Sequence, residues 1–325
     1  MRLDDLVTDR AIAKPQAAST LSNLRLRRFS KRGLRENSVL VILLFCASIS
    51  VATTFGIVWV LFSETLNFFR QVSIIEYFTG TRWTPLFASQ HFGVLPILSA
   101  TILIAIIALA VAIPFGLGSA IYLAEFAPRR VRASLKPTLE ILAGVPTVVY
   151  GYFALLFITP LLQRVFGDLG LFNGLSAGIA MGIMIIPMVA SLSEDALSAV
   201  PQHLRDAAAA VGATEMETIR GVTVPAALSG IVASFILAMS RAVGETMIVT
   251  IAAGGSSPAS NIVFNPFEAM QTMTAYIVQV SLGDTPRGTI SYTSIFAIGS
   301  TLFVMTLLLN IGSRIIVRRF REVYD

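Results

Sequence analysis

The chain has 325 residues, 55% of them hydrophobic and only 13% charged, with a mean hydropathy of +0.76; a water-soluble surface takes about 25% charged residues, so this one is solvated largely by lipid. One cysteine, Cys46, and two well-separated histidines, His91 and His203, rule out a disulfide framework and leave no zinc, haem or iron–sulfur ligand set. The net charge of +5 does not point to nucleic acid, because nine of the 24 Lys and Arg fall in the first 37 residues.

Crossing about 30 Å of hydrocarbon takes roughly 20 mostly apolar residues. Six stretches meet that length, at 38–62, 94–126, 137–162, 174–200, 226–253 and 290–312. Residues 1–37 read as a basic cytoplasmic tail, and the stretch behind it is too long and too far from the start to be a cleaved signal peptide. Residues 63–93, with Phe68, Phe69, Tyr77 and Trp83, read as an interfacial segment. In the second stretch Pro114, followed by Gly116 and Gly118, predicts a break that sends 119–126 along the cytoplasmic surface. Gly144-Val-Pro146 and Ile186-Pro187 interrupt the third and fourth, while Gly178, Ala180 and Gly182 suit close helix packing.

The fifth stretch is followed by residues 254–289, whose Gly-, Ser-, Pro- and Asn-rich start reads as a flexible external loop. Residues 38–320 thus form one six-helix domain, and 321–325 a short tail. Nineteen Lys and Arg lie on the side of the termini and only four on the other, which puts both termini and residues 201–225 in the cytoplasm.

Residues 201–225 read PQHLRDAAAAVGATEMETIRGVTVP. The alanine-rich 202–211 is strongly helix-forming, and Gly212 supplies the left-handed residue that ends a helix. Thr214 and Glu217 make a capping box that starts a second helix, and Pro225 fits its first turn. Two short helices at a sharp angle, joined to two membrane spans, are predicted.

A charge at the bilayer centre costs about 2.5–3.5 kcal/mol on insertion scales. Arg241 and Glu245, four apart in the fifth stretch, are expected to share a helical face, with Arg241 roughly 22 Å along the axis. A structural ion pair is one reading, although Arg before Glu is the less favourable order and such a pair contributes only about 0.2–0.5 kcal/mol. The other reading is an anion ligand: the guanidinium fork grips phosphate oxygens bidentately, with Glu245 as its counter-charge. Glu140, near the inner end of the third stretch, is a further partner.

Asp206-Ala207-Ala208-x-x-x-Gly212, then nine residues, then Val222-x-Val224-Pro225 resembles the EAA motif of ABC importer permeases. Asp and Val replace the usual Glu, Ile and Leu, keeping charge sign and apolar character. The resemblance covers nearly all of the chain after residue 38. It implies an all-α type I ABC importer permease fold, MetI-like, in which 201–225 is the coupling helix docked into a groove of a separate ATPase. Asp206, Ala207, Ala208, Gly212, Glu215 and Pro225 are the residues it assigns to that contact.

Ala120-Ile-Tyr-Leu-Ala-Glu-Phe-Ala-Pro128, Glu140-Ile-Leu-Ala-Gly-Val-Pro-Thr-Val-Val-Tyr-Gly151 and Ser240-Arg-Ala-Val-Gly-Glu-Thr-Met247 resemble the phosphate-specific branch. Thr81-Arg-Trp-Thr-Pro85 through Phe92-Gly93 is closer to the PstC type than to its PstA partner. That branch implies a bacterial inner-membrane protein working with a PstA-like permease, two PstB-like ATPase copies and an external PstS-like phosphate-binding protein, with Arg241, Glu245 and Glu140 along the substrate path. The only lysines, Lys14, Lys31 and Lys136, lie outside any phosphate-cradling loop, so no ATPase site and no cofactor are expected on this chain, ATP and Mg belonging to the partner. A permease for another oxyanion, such as molybdate or sulfate, stays open beside phosphate. So does a proton-coupled secondary transporter using Glu245. A membrane enzyme lacks a nucleophile–base pair in the spans.

Overall fold

The computed structural model describes residues 31–254, 262 and 264–320, with side chains from 38 to 317. Most of the basic tail, the 321–325 tail and most of the Gly- and Ser-rich start of the 254–289 segment lie outside the described residues. Among the described residues the chain is helical, its one β feature being an isolated antiparallel bridge between Trp83 and Phe92. Six helices among the described residues are long and apolar enough to cross a membrane: Ser38–Phe69, Leu95–Phe126, Thr147–Val165, Gly174–Ser198, Glu215–Val243 and Ile290–Val317.

Contacts divide the chain into a unit ending at Val60 and a unit from Leu61 onward. The first contains most of helix α1 (Lys31–Phe69), an apolar rod on which Phe55 and Trp59 stack 6.4 Å apart.

The second unit is built on α3 (Leu95–Ile121) packed against α7 (Gly174–Ser198). Small residues permit the close approach: a Cβ at Gly182 would stand 2.7 Å from Val111 Cβ and 2.8 Å from the Ala108 carbonyl. Alanines 108, 112, 177 and 180 fill the same seam, fully buried, as expected for helices whose association rests on backbone proximity. This packing also overrides Pro114. The predicted break is absent; α3 runs through Pro114 and ends in a wide π turn, Tyr122–Phe126. A membrane helix tolerates one missing hydrogen bond where neighbouring helices cover the freed carbonyl, and Ala112, Gly116 and Ala120 on either side of the proline are buried.

Three further expectations are corrected. The stretch read as 137–162 is two elements. Helix α4 (Arg129–Ala143) buries no residue, and only after a turn at 144–146 does the span begin, as α5 (Thr147–Phe153), a π turn (Ala154–Ile158) and α6 (Thr159–Val165). Pro146 disfavours helix at the residue before it, and the four cations of α4 are too costly to cross lipid. Glu140 therefore stands on a helix outside the spans.

The stretch read as 226–253 starts earlier and stops sooner. Helix α8 (Gln202–Ala210) is followed by α9 (Glu215–Thr218), which passes through a π turn (Ile219–Thr223) directly into α10 (Val224–Val243). The loop therefore holds one separate short helix, and the second is the foot of the span. The wide turn absorbs Pro225, which has no N–H to give the preceding turn.

Residues 254–289 are not simply a flexible loop. After α11 (Met247–Ala252) the chain returns as α12 (Met273–Leu282), ten residues with Met273, Thr274, Ala275, Tyr276 and Val280 buried, before α13 (Ile290–Phe320). Together with the short α2 (Ile74–Thr79), these close one end of the unit. Phe68, Tyr77, Trp83, Phe92 and Tyr276 pack there edge to face. We call this the distal lobe, and the end carrying α4 and α8 the coupling end.

Candidate functional site

Two places bring charge together. The first is the break after α10. Arg241 lies in the last turn of that helix, which ends at Val243 with Gly244 as its cap. Glu245 is therefore beyond the helix, and the expected shared helical face is not formed. Instead the Glu245 carboxylate accepts the Met247 N–H at 3.1 Å, and its backbone carbonyl accepts the Thr274 hydroxyl at 2.8 Å. The ion pairs among the described residues use Glu125, Glu194 and Asp195, so Arg241 and Glu245 are not paired with each other. Arg241 is exposed and Glu245 half-buried. Chemically the break offers a permanent cation on a helix end and a carboxylate held by a backbone donor, against hydroxyls from α12.

The second place is the coupling end. Helix α8 ends as the sequence predicts, with Gly212 at φ +87° and two closing bonds, Gly212 N–H to Ala209 and Ala213 N–H to Ala208, at 3.0 and 3.1 Å. The capping box is present. Glu217 accepts the Thr214 N–H and hydroxyl, both at 2.8 Å, and the Thr214 oxygen accepts the Glu217 N–H at 3.4 Å. Ala208 is buried, while Asp206, Ala207, Gly212, Glu215 and Pro225 are exposed. Val211 is 85% exposed and Met216 also faces outward, so the tip displays two apolar side chains that sequence reasoning did not single out.

Two ionic contacts root the coupling end in the spans. Arg205 donates to Glu125 at 3.0 Å and to the carbonyls of Leu197 and Val200 at 2.9 and 3.1 Å, tying α8 to the ends of α3 and α7. Its groove, about 230 Å³, is lined by Glu125, Gln202, Arg205, Asp206, Glu215 and Ile219 among others. Glu194, only 1% exposed inside α7, pairs with Arg132 and with Lys136, the latter at 2.7 Å; Lys136 also meets Asp195 at 2.6 Å. Hydrogen bonds to Asp195 and then Glu194 raise the Lys136 ammonium above its usual range, so it stays charged. Neither contact was legible in advance, since the partners stand 80 and about 60 positions apart. The one available signal was the Glu194-Asp195 pair inside an apolar stretch.

Comparison with known proteins places this geometry. Residues 112–322 match the model of the family described as "Binding-protein-dependent transport system inner membrane component". The chain is 33% identical over 280 residues to the Probable ABC transporter permease protein YqgH of Bacillus subtilis, covering 85% of this chain and 89% of that one. It is 32% identical to the Phosphate transport system permease protein PstC of Haemophilus influenzae (76% and 82% covered). Against the PstC of Mesorhizobium japonicum the identity is 31% (75% and 78%). In fold it resembles a chain of a bacterial alginate ABC transporter crystallised with a periplasmic protein, with a TM-score of 0.59 at 15% identity over 92% of this chain and 100% of that chain. It also resembles a chain of the inward-facing MetNI methionine transporter, with a TM-score of 0.52 at 18% identity over 69% and 94%.

Proposed function

The chain belongs to the binding-protein-dependent transport system inner membrane components, and from that membership we propose that it is the permease subunit forming the membrane path for inorganic phosphate in an ATP-driven importer. It is a multi-pass inner-membrane protein that acts in association with other permease, ATPase and binding-protein subunits. The finer assignments are part of the proposal: a PstA-like second permease, a PstB-like ATPase pair using ATP and Mg, a PstS-like external protein, and both termini in the cytoplasm. Relatives named for phosphate favour that anion over molybdate or sulfate.

One observation carries the site. Arg241 is a permanent cation at the broken end of a spanning helix, with no anionic side chain of this chain paired to it among the described residues. Its planar fork fits two oxygens of a phosphate. Glu245, four residues on and pinned by Met247, keeps a negative charge near the ligand site and lowers the cost of leaving Arg241 empty. Glu140, exposed on α4, belongs on this reading to the cytoplasmic mouth of the path. At the coupling end, Asp206, Ala207, Gly212, Glu215 and Pro225 present the face that meets the ATPase, with Ala208 anchoring it from below.

The test is radiolabelled phosphate uptake normalised to assembled complex. Arg241→Gln should abolish uptake, and the double variant Arg241→Gln with Glu245→Gln should fail as badly. Near-normal uptake in the double variant would remove Arg241 from the substrate path.

A further inference from the structure

Resting on that reading of the break, we infer that Thr274 is a positioning residue, whose hydroxyl locks the Glu245 backbone to a strut, α12, packed along its length into the distal lobe. Among the described residues, a recurrent threonine bond runs to the carbonyl one turn back in the same helix, as Thr101 does to Ile97 and Thr301 to Ala297. Thr274 does not. It reaches 29 positions back along the sequence to the Glu245 carbonyl, which lies outside both α10 and α11 and so lacks the partner a helix would give it.

The proton count fixes the direction of the bonds around it. A hydroxyl carries one proton, and that of Thr274 goes to Glu245. In the Thr272–Thr274 contact at 3.1 Å, Thr272 is therefore the donor. Thr272 in turn accepts the Ala275 N–H at 3.2 Å, capping α12. The result is a directed chain, Ala275 N–H to Thr272, Thr272 to Thr274, Thr274 to Glu245, whose members polarise one another in a buried setting. Thr101 steadies the same end by accepting the Met273 N–H at 3.0 Å.

Two residues past Thr274 the helix meets the distal aromatic cluster, and buried Val280 holds its far half. Tyr276, 1% exposed, packs edge to face on Trp83 at 5.0 Å and bonds Ser294 at 2.8 Å. Beyond it, the loops at 85–90 and 283–289 flank an open groove lined by Pro85, Gln90, Gln279 and Asp284, held by bonds from Ser291 to Pro85 and Gln90 to Ser291 at 2.7 and 3.1 Å. A ten-residue helix is too short to bend. Displacement of the distal loops by a protein seated on them is therefore delivered at the Thr274–Glu245 bond, beside Arg241.

The test uses the whole complex in proteoliposomes and compares Thr274→Val, which keeps the shape and loses the hydroxyl, with Thr274→Ser, which keeps the hydroxyl. For Thr274→Val, uptake per assembled complex and stimulation of ATP hydrolysis by phosphate-loaded external protein should fall about five-fold or more, the fold-change of one hydrogen bond. Basal hydrolysis and the half-saturating external-protein concentration should stay unchanged. Thr274→Ser should restore stimulation to within about two-fold. Normal stimulation in Thr274→Val, or Thr274→Ser failing equally, overturns the inference. Should Thr274→Val not assemble, Trp83→Leu, in the aromatic contact that holds the strut, is read the same way: lost stimulation with basal hydrolysis retained supports it, and normal stimulation overturns it. Arg241→Gln runs alongside, and normal uptake there sinks the reading of the site itself, whatever the Thr274 variants do.

Discussion

Gly212 offers an unusually clean perturbation, because strain there is separable from clash. Its φ is +87°, yet a Cβ built on it meets no heavy atom within 4 Å. A Cβ fits; only the backbone objects. For an L-residue the left-handed conformation costs about 1–2 kcal/mol, more for a β-branched one and least for Asn. The expected order of damage is therefore Gly212→Asn, then Gly212→Ala, then Gly212→Val. The strain is relieved by opening the two bonds that end α8, Gly212 to Ala209 and Ala213 to Ala208, which shifts the Thr214 capping box relative to Ala208. A penalty of about 2 kcal/mol leaves the closed loop roughly 30-fold less favoured. The assay is phosphate transported per ATP hydrolysed in the reconstituted complex, alongside a count of inserted chain, which should not change. Unaltered coupling in Gly212→Val would refute the reasoning. Equal damage by Asn and Val would also refute it, pointing to a blocked partner contact in place of backbone strain.

Three other outcomes are expected. With Cys46 replaced by Ser, a cysteine at Val211, which is 85% exposed, should react with an impermeant maleimide only from the cytoplasmic side, and one at Phe87 only from outside; the reverse pattern inverts the proposed orientation. Arg205 and Glu125 are 17% and 12% exposed, so removing either partner alone should destabilise the complex by about 1–3 kcal/mol. A double-mutant cycle on thermal unfolding should then show coupling, and simple additivity would mean the pair contributes nothing. Thr214→Ala, which removes the hydroxyl that accepts the Glu217 N–H, should weaken the capping box by about 0.5–2 kcal/mol. Amide exchange at Glu217 should quicken accordingly, and unchanged exchange would mean the box contributes nothing.

What could be read from the amino acids alone was local. The Thr214–Glu217 box and the Gly212 stop depend on neighbours three to five positions apart, and both are present. Span limits were harder wherever apolar residues continue past a real boundary. Pro137-Thr-Leu-Glu-Ile-Leu-Ala143 is apolar enough to be joined to the third span, though it finishes the surface helix α4. Helix α12 escaped notice because ten residues are too few to cross a bilayer and its Thr-rich start resembles a loop. Pro114 misled for the opposite reason: the local rule is sound, but packing of α3 on α7 outweighs it. In the break, the four-residue spacing of Arg241 and Glu245 implied a pair only if the helix continued, and Gly244 stops it.

The unbroken course from Glu215 to Val243 has a geometric consequence. Twenty-nine residues at 1.5 Å each make a rod of roughly 43 Å, with Glu215 and the capping box at one end and Arg241 at the other. A rigid tilt of about 5° around its midpoint would carry each end about 2 Å. That distance is small beside a protein but large beside a 2.8 Å hydrogen bond such as the one from Thr274 to Glu245. A nudge too slight to repack the core can thus make or break a contact across the full thickness of a bilayer, and the wide turn at Ile219–Thr223, near the foot, is where such a rod yields first.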